Sequence, residues 1–576
     1  MPRPVDKIGS KLWMQLPQAA SCYKIGSGHG PWFVRQGRRR SGIDMDKANG
    51  GILEAIARYI SYDPVRMHMP GHKGRSSSKH LGHDDEAYGG PRVPGWGSAL
   101  GDGSICQIAR ALEDALDRVK AMDVTEIPGL DNLHYPSEVI QQVQRNMADV
   151  FGTAATYCLV NGATSGILAS LIALRMTMGP GVVIVPRNAH RSIISGLILS
   201  GLDPLFIYPE YDQDLGGYLP LKVSDVEMQL AEATSQGRLR PGRRANIRGI
   251  VAVSPTYTGV CGDIRSICQY AGELNVPVIV DEAHGTLFRF SDRLPPSAIE
   301  TGASLVIHGA HKTTQAFTQT GLLHVTLSCV KTFPALAANV EEALRLVQST
   351  SPSYILLASL ERAIAGLKQD ASWVESMIQS AHLMKQELSK IKGIRVRTPE
   401  EGKWDPGKIL IDVSGLGLSG PQVQQLLWEK ARVVPEMTGP DYVVLMVTGA
   451  DNNHDLERVA GAFCEISESC RGGRVASQAG VWELLTREPP RGEAVISLSQ
   501  AFYAPARECS LDQAVGKISG DTVLIYPPGS PVVVPGERMT AEVVGYIRQA
   551  VECGLDVLGR GHSGGEKELK VFCIED

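Results

Sequence analysis

The chain has 576 residues, of which 43% are apolar and 21% charged, so its composition is that of a globular protein. Its length exceeds what one compact core usually holds, and we expect two or three structural units. The net charge of -5 is small for this length, which argues against a nucleic-acid or anionic-membrane partner and favours a small-molecule substrate.

Eleven cysteines are scattered along the chain without a C-x-x-C pair. This pattern suggests neither a disulfide framework nor a zinc ribbon, and it is typical of a reducing compartment. No apolar run reaches the roughly 20 residues that a membrane-spanning helix needs. We therefore expect a cytoplasmic protein that is not embedded in a membrane.

Residues 1–44 differ from the rest of the chain, with eight Lys or Arg against two Asp and no apolar period. We predict a disordered tail here, with Met45 as an alternative natural start. The glycine-rich segment Gly26–Gly30 lacks the strand and helix that flank a phosphate-binding loop. The next segment, residues 45–136, opens with a helical pattern from Asp46 that places three isoleucines on one face.

Between residues 137 and 350, helical patterns alternate with short, almost entirely apolar runs. Ser137 is positioned to cap a helix that runs to about Val150, and another helix is predicted from Ile167 to Met176. The apolar runs predict buried strands at Tyr157–Val160, Val182–Val185, Leu205–Tyr208, Ile250–Val253, Val278–Val280 and Leu305–Ile307. This alternation is typical of an α/β domain with a mainly parallel sheet covered on both faces.

Beyond residue 350 the pattern changes. A long helical stretch is followed by mixed strands and helices, with Gly and Pro clusters at residues 414–421 and 527–536. We predict that residues 351–576 form a smaller C-terminal α+β domain, in one or two pieces.

Ligands of such sheets bind at the carboxyl ends of strands, so the polar residues after each apolar run are the candidates. After the first strand, Asn161–Gly166 opens a helix with small residues. Its backbone amides, the helix dipole and the hydroxyls of Thr164 and Ser165 could bind a phosphate. A capped helix start without a ligand is the alternative explanation of this signal alone.

Asp281 directly follows the run Val278–Val280, where a buried carboxylate is costly unless a cation, such as a pyridinium nitrogen, lies beside it. Lys312 follows the next strand, within loop distance of Asp281 if the two strands are neighbours. Partial desolvation would ease the loss of its proton, as a Schiff-base lysine requires. A single lysine is more often a solvated surface charge, and the order of loop, aspartate and lysine is what indicates a cofactor site.

This order resembles that of the pyridoxal-phosphate enzymes with the aspartate-aminotransferase fold, fold type I. Several segments make the resemblance more specific: Met67–Gly74 (MHMPGHKG), Asp123–Asp131 (DVTEIPGLD), Arg187–His190 (RNAH), Asp281–Gly285 (DEAHG), His311–Lys312, Tyr526–Gly529 (YPPG) and Val534–Glu537 (VPGE). They follow the order found in the ornithine/lysine/arginine decarboxylase family, which the chain resembles between about residues 46 and 540.

The resemblance implies pyridoxal 5'-phosphate as the cofactor and assigns roles to particular residues. Lys312 would form the Schiff base, Asp281 would keep the ring nitrogen protonated, and His190 would stack on the ring. Further cofactor contacts implied by the resemblance are Gly162, Ala163, Thr164 and Ser165 at the phosphate, His311 beside them, and His284 near the ring.

The chain departs from the family pattern directly before the His–Lys pair. Many members have Ser-Thr there and use the serine on the phosphate, whereas this chain has Gly309–Ala310. We therefore expect phosphate binding to depend on other groups. The resemblance is to the shorter form of the family, without the additional N-terminal domain of the large inducible bacterial enzymes, and its members differ in substrate.

Four histidines between residues 68 and 83 suggest a metal site. Pro70 and Gly71 break the helical spacing between the first two, and we predict no metal. The resemblance instead makes this loop part of the active-site mouth, with His72 as a candidate for substrate contact. It also implies that residues 45–136 contribute to the contact between subunits.

The basic end of a substrate needs an acidic or polar pocket, for which Asp131, Glu361 and Glu537 are candidates. An exposed or helix-capping role is the alternative for each carboxylate. Because these enzymes resemble obligate dimers, we expect a homodimer or higher homo-oligomer with shared active sites, in which a neighbouring subunit reaches Asp131.

The implied reaction is decarboxylation of a basic amino acid to a polyamine or its precursor. Arginine is favoured over lysine and ornithine because shorter members of the family are often arginine decarboxylases. An aminotransferase or another lyase would use the same lysine and aspartate. The spacing of these two residues therefore does not exclude that alternative. A relative that binds the cofactor or an amino acid without turnover is a further alternative.

Overall fold

The computed structural model describes residues 52–74, 105–235, 246–397, 402–470, 479–526, 529–553, 555–560 and 569–575. These residues all belong to one compact unit, residues 41–576. The predicted tail, residues 1–44, lies outside the described residues. Within the described ranges, no helix is long and apolar enough to cross a membrane.

Helices of very different lengths surround the sheets. Their bounds are α1 Ile52–Ser61, α2 Ile105–Lys120, α3 Val139–Phe151, α4 Gly162–Met178, α5 Arg191–Ser200, α6 Val223–Ser235, α7 Ile264–Glu273, α8 Ala310–Thr313, α9 Leu327–Thr332, α10 Pro334–Val347, α11 Tyr354–Gln369, α12 Ser372–Ser389, α13 Gly420–Ala431, α14 Asn453–Ser469, α15 Ala479–Thr486, α16 Leu498–Tyr503, α17 Leu511–Ala514 and α18 Ala541–Glu552.

The strands are short, as the apolar runs predict. Their bounds are β1 Val65–Met67, β2 Ala155–Leu159, β3 Val182–Pro186, β4 Asp203–Ile207, β5 Tyr211–Asp212, β6 Gly217–Tyr218, β7 Ile247–Val253, β8 Val278–Asp281, β9 Leu305–His308, β10 Gly321–Val325, β11 Arg395–Arg397, β12 Lys408–Asp412, β13 Val433–Pro435, β14 Met437–Thr438, β15 Tyr442–Met446, β16 Ala506–Ser510, β17 Val523–Tyr526, β18 Ser530–Val533, β19 Asp556–Leu558 and β20 Lys570–Ile574.

The central sheet has seven strands in the order β2-β10-β9-β8-β7-β3-β4. Neighbouring strands run parallel from β9 to β4, whereas β10 is antiparallel to both β2 and β9. All six strands predicted from the sequence are present in this sheet, within two or three residues of their predicted bounds. The prediction of a mainly parallel α/β sheet is therefore confirmed, and β10 is the strand that it missed.

Alternate residues of the strands enter two separate hydrophobic cores. Val183 and Val185 pack into the core beneath α4, α5 and α10, whereas Ile184 packs into the core that α3, α6 and α7 cover. Close packing explains the small residues that open α4, since a Cβ on Gly166 would lie 2.7 Å from Leu159 Cδ1. A sheet covered on both faces accounts for strands that are apolar throughout.

The start of α3 differs from the prediction. The helix begins at Val139, and Glu138 occupies the N-cap position without a side-chain cap bond. The carboxylate of Asp131 instead accepts hydrogen bonds from the backbone amides of Ser137, Glu138 and Ile140, at 2.8–3.1 Å. The predicted cap at Ser137 is wrong because the Asp131 carboxylate, which has about four acceptor sites against two on a hydroxyl, takes the amides at this helix start.

A four-stranded and a three-stranded sheet follow the central one, and two-stranded sheets are formed by β5-β6, β1-β13 and β16-β20. The small-domain sheet, which we define as β11-β12-β15-β14, is antiparallel, and β1 pairs separately with β13. The C-terminal sheet, β18-β17-β19, packs its own core with α18. The N-terminal segment therefore contacts the smaller part of the chain as well as the central sheet.

A buried ion pair joins the central sheet to the C-terminal sheet. Arg187 follows β3 and donates to Glu537 Oε1 at 2.7 Å, to Glu537 Oε2 at 2.9 Å and to the carbonyl of Val532 at 2.9 Å. Its guanidinium also lies 4.7 Å from the centre of the Phe206 ring. Arg187 and Glu537 are only 2% and 3% exposed. Burial of either charge is therefore stable only because the opposite charge lies beside it.

Replacing Glu537 with alanine leaves the guanidinium of Arg187 buried without its partner. We expect the free energy of unfolding to fall by about 3–5 kcal/mol, measured by urea denaturation. The matched control is Glu493→Ala, because Glu493 and Arg538 form an exposed pair at 3.2 Å whose loss should cost less than about 1 kcal/mol. Equal losses for the two variants would contradict the assignment.

Candidate active site

A cavity of about 300 Å³ lies at the carboxyl ends of the parallel strands, within the size range of small-molecule pockets. Most of the residues predicted for the site line it: Gly162, Ala163, Thr164, His190, Asp281, His284, His311 and Lys312. One side of the cavity is formed by the central sheet and the N-terminus of α4. Further lining comes from Met69 of the N-terminal segment and from Tyr218 of the hairpin β5–β6. The small-domain and C-terminal sheets contribute Met437, Tyr442, Tyr526 and Ser530.

Lys312 lies in α8, the single helical turn that follows β9. Its Nζ is 3.0 Å from Nε2 of His284 and 5.7 Å from the centre of the Tyr257 ring. Burial lowers the pKa of Lys312 from its ordinary value, and the Asp281 carboxylate opposes that shift. A lysine with a lowered pKa supplies the neutral amine that a carbonyl group requires.

Asp281 is the last residue of β8 and is only 6% exposed. It pairs with Ile307 of the neighbouring β9, which brings it to the same end of the sheet as Lys312. Its Oδ1 accepts the backbone amide of Ala283 at 3.2 Å. One amide leaves most of the carboxylate's capacity for hydrogen bonds unused, so it can bind a cationic N–H group in the cavity.

The first turn of α4 has the geometry of an anion site, in which Thr164 is exposed and lines the cavity. Ser165 is buried instead, and its Oγ donates to the carbonyl of Gly162 at 2.8 Å. Its hydroxyl is therefore already engaged. The amide of Gly162 donates to the carbonyl of Gln319, which leaves Ala163 and Thr164 to supply the free donors of this turn.

The departure at Gly309 has a steric explanation. A Cβ at this position would lie 2.9 Å from the carbonyl oxygen of Ala283 and 3.1 Å from Cδ of Lys312. A serine therefore could not be accommodated here without a shift of the backbone. Nearby, Nδ1 of His311 is 2.7 Å from the carbonyl oxygen of Thr320, which leaves its Nε2 available to the cavity.

His190 caps the start of α5. Its Nδ1 accepts the backbone amide of Ser192 at 3.3 Å and lies 2.7 Å from the Ser192 hydroxyl. Burial lowers the pKa of His190, and Lys312 adds to that effect against the opposing Asp281 carboxylate. Burial therefore favours the neutral ring, and the contacts with Ser192 hold it in one orientation, as a flat surface against a planar ligand requires.

The candidate substrate residues lie elsewhere in the described structure. Asp131 caps α3, Glu537 is paired with Arg187, and Glu361 is on the exposed face of α11. His72 accepts the amide of its near neighbour Gly74 through Nδ1. None of these four candidate substrate residues lines the cavity that the described residues form. Of the four histidines that suggested a metal site, those at positions 80 and 83 lie outside the described residues.

Sequence reasoning missed the tyrosines that line the cavity: Tyr218, Tyr257, Tyr442 and Tyr526. Tyr257 follows the end of β7, so the rule applied to the other strand ends would have found it. Tyr218 comes from the hairpin β5–β6, whereas Tyr442 and Tyr526 come from the small-domain and C-terminal sheets. Their approach to the cavity depends on tertiary packing, for which the sequence carries no local signal.

The groups around the cavity fit pyridoxal phosphate. A lysine amine, a carboxylate for the ring nitrogen, a neutral ring for one face and free helix N-terminal amides for the phosphate line one volume. The class that fold and site define is that of the pyridoxal-phosphate-dependent enzymes.

Two family models match the chain. Residues 117–455 match the model described as "Orn/Lys/Arg decarboxylase, major domain", and residues 493–559 match the C-terminal domain of the same family. The chain belongs to the Orn/Lys/Arg decarboxylase family and is a decarboxylase with pyridoxal phosphate as its cofactor. The resemblance stated from the sequence motifs is confirmed.

Curated relatives agree with this membership. The arginine decarboxylase of Bacillus subtilis is 31% identical over 523 residues, covering 89% of this chain and 96% of the relative. The lysine decarboxylase LdcA of Pseudomonas aeruginosa is 24% identical, and the alignment covers 72% of this chain and 67% of LdcA. The solved structure of lysine decarboxylase A from Pseudomonas aeruginosa has the same fold, with a TM-score of 0.68 at 19% identity over 90% of this chain and 81% of the other.

The two hydroxyls of the α4 turn should contribute differently to cofactor affinity. We expect Thr164→Ala to raise the Kd for pyridoxal phosphate by about tenfold or more, the size of one hydrogen bond to a charged group. Ser165→Ala is the control and should change Kd by less than about twofold, because that hydroxyl donates within the helix. Titration of the cofactor-free protein measures both, and equal losses would contradict the geometry.

Proposed function

We propose that this protein decarboxylates a basic amino acid, with arginine preferred over lysine and ornithine, and releases a polyamine or its precursor. The observation that carries the proposal is the meeting of Lys312 and Asp281 in one cavity, at the ends of neighbouring parallel strands. The names of the relatives support the choice of arginine, since several of them, at 28–31% identity, are arginine decarboxylases.

Each residue has a defined task in this proposal. Lys312 would hold the cofactor through its amine, Asp281 would keep a proton on the ring nitrogen, and His190 would cover one ring face. Ala163 and Thr164 bind the phosphate with His311 beside them. Pyridoxal phosphate, when bound, supplies the electron sink for the bonding pair that carbon dioxide leaves behind.

The aromatic lining of the cavity supports the preference for arginine. Among the described residues, Asp281 is the carboxylate that lines the cavity, whereas four tyrosines line it. A guanidinium group is planar and weakly hydrated, so it stacks on aromatic rings more readily than an ammonium group does. We propose that the ring of Tyr218 contacts the cationic end of the substrate.

Removing the ring of Tyr218 tests this contact. We expect Tyr218→Leu to raise KM for arginine by about 5- to 30-fold, which corresponds to about 1–2 kcal/mol for a cation–π contact. Tyr218→Phe is the control, because it keeps the ring and loses only the hydroxyl that donates to Glu488 at 3.5 Å. Steady-state kinetics measure both variants, and a similar KM for the leucine and phenylalanine variants would rule out the contact.

We also propose a cytoplasmic homodimer or higher homo-oligomer with shared active sites. Apolar side chains on α1, α2 and the following turn support an interface, because Ile52 is 81% exposed, Leu116 48% and Met122 57%. Exposed clusters of this kind are usually covered by a partner. Nine cysteines, from Cys158 to Cys573, are free thiols, which supports a reducing compartment.

The direct test is release of carbon dioxide from arginine, lysine and ornithine by the protein loaded with its native cofactor. We expect turnover of arginine with the highest kcat/KM, and Lys312→Ala should lose both activity and the visible absorption of the bound cofactor. Transfer of the amino group without carbon dioxide would favour an aminotransferase. Visible absorption without turnover of any of the three would favour a non-catalytic relative.

A further inference from the structure

A second, much smaller cavity adjoins the active site. His284, Thr313 and Asp405 line it together with apolar side chains, among them Met377 and Val447. Its volume is about 10 Å³, which is about the space that one water molecule needs. His284 lines this inner cavity and the cofactor cavity alike, so the two share one side chain.

Two buried polar atoms on this inner cavity lack a partner. Nδ1 of His284 and Oγ1 of Thr313 make no hydrogen bond to any described residue, and their side chains belong to residues only 5% and 9% exposed. Buried polar atoms are rarely left unpaired in folded proteins, and an ordered water is a frequent partner. One water in the inner cavity would satisfy both atoms.

Asp405 supplies the third polar group. It is 6% exposed and precedes β12 of the small-domain sheet. Its Oδ1 accepts the amide of Gly407 at 2.9 Å, which leaves much of the carboxylate free to accept further hydrogen bonds. Burial raises the pKa of Asp405 above its ordinary value, and the nearby Lys408 and Lys385 oppose that shift. A water with three polar partners is within the usual range for buried waters.

We propose that the inner cavity binds one ordered water, which links His284 Nδ1 and Thr313 Oγ1 to the Asp405 carboxylate. Through His284 this water connects Asp405 to the amine of Lys312. The small-domain sheet thereby gains a direct hydrogen-bonded path to the cofactor lysine.

The path fixes the position of one proton. Nε2 of His284 lies 3.0 Å from Nζ of Lys312, and it accepts a hydrogen bond from that amine only when the ring proton is on Nδ1. A water that accepts from Nδ1 and donates to a carboxylate selects this tautomer. Asp405 is therefore a positioning residue. This role rests on the proposed function, whereas the presence of the water does not depend on that function.

The water is tested by a high-resolution crystal structure of the full chain, without and with the cofactor. We expect one water within hydrogen-bond distance of His284 Nδ1, Thr313 Oγ1 and an Asp405 oxygen in both forms. An empty cavity, or a water that reaches neither His284 nor Asp405, overturns the proposal. An ordered water in a protein that turns over no amino acid would contradict the proposed function and leave the water site intact.

The link to Lys312 is tested with a pair of variants at one position. Thr313→Val keeps the shape of the side chain and removes the hydroxyl, and we expect it to weaken the water density and lower kcat. Thr313→Ser restores the hydroxyl and should restore both. Asp405→Asn should lower kcat by about tenfold, with KM and cofactor affinity changed by less than about twofold.

Two outcomes overturn the link. The first is a serine variant that behaves like the valine variant, because the hydroxyl would then play no part. The second is a loss of cofactor affinity in Asp405→Asn that matches the loss in kcat, because Asp405 would then have only a structural role.

Discussion

The parallel pairing of β8 with β9 is the constraint on which the rest of the site depends. Asp281 pairs with Ile307, and the chain leaves β9 at Gly309 to form the turn that carries Lys312. A register slip of one residue would turn Asp281 to the opposite face of the sheet. Every residue of both strands is buried, so such a slip would also exchange side chains between the two cores, and the close packing of these cores prevents it.

A buried chain of hydrogen bonds holds the end of β8 against the neighbouring strands. Glu282, directly after Asp281, accepts from Nε2 of His308 at 2.8 Å. Nδ1 of that ring is 3.0 Å from Nε2 of His324, whose own Nδ1 is 2.8 Å from Oγ1 of Thr156. The chain thus crosses β9, β10 and β2, and all its members are at most 1% exposed. Because a fully satisfied buried network is rigid, the turn after Asp281 cannot move without breaking it.

Local signals account for what the sequence predicted. The apolar runs before Asp281 and Lys312 were sufficient for the strands, and strand-end polarity identified most of the cavity lining. The strand β10, Gly321–Val325, was missed although all of its residues are buried. Its position between β2 and β9 depends on the order of strands in the sheet, which the local pattern does not show. Ser165 was predicted from the motif to bind the phosphate. Its hydroxyl instead forms a hydrogen bond within the helix, which the motif alone does not reveal. Tyr442 was beyond reach because the small-domain sheet brings it to the cavity from a distant part of the chain.

The segment Met67–Gly74 is another part of the chain, distant in sequence, that contacts the turn carrying Lys312. The amide of Gly71 donates to the carbonyl of His311, and the hydroxyl of Thr448 donates to the carbonyl of Gly71. A Cβ on Gly71 would lie 2.4 Å from the carbonyl oxygen of Thr314, so only glycine permits this approach. The loop is thereby fixed between the Lys312 turn and the end of β15. The loop contributes to the site through Met69, which lines the cavity, and through the backbone contacts of Gly71, and its histidines indicate neither contribution.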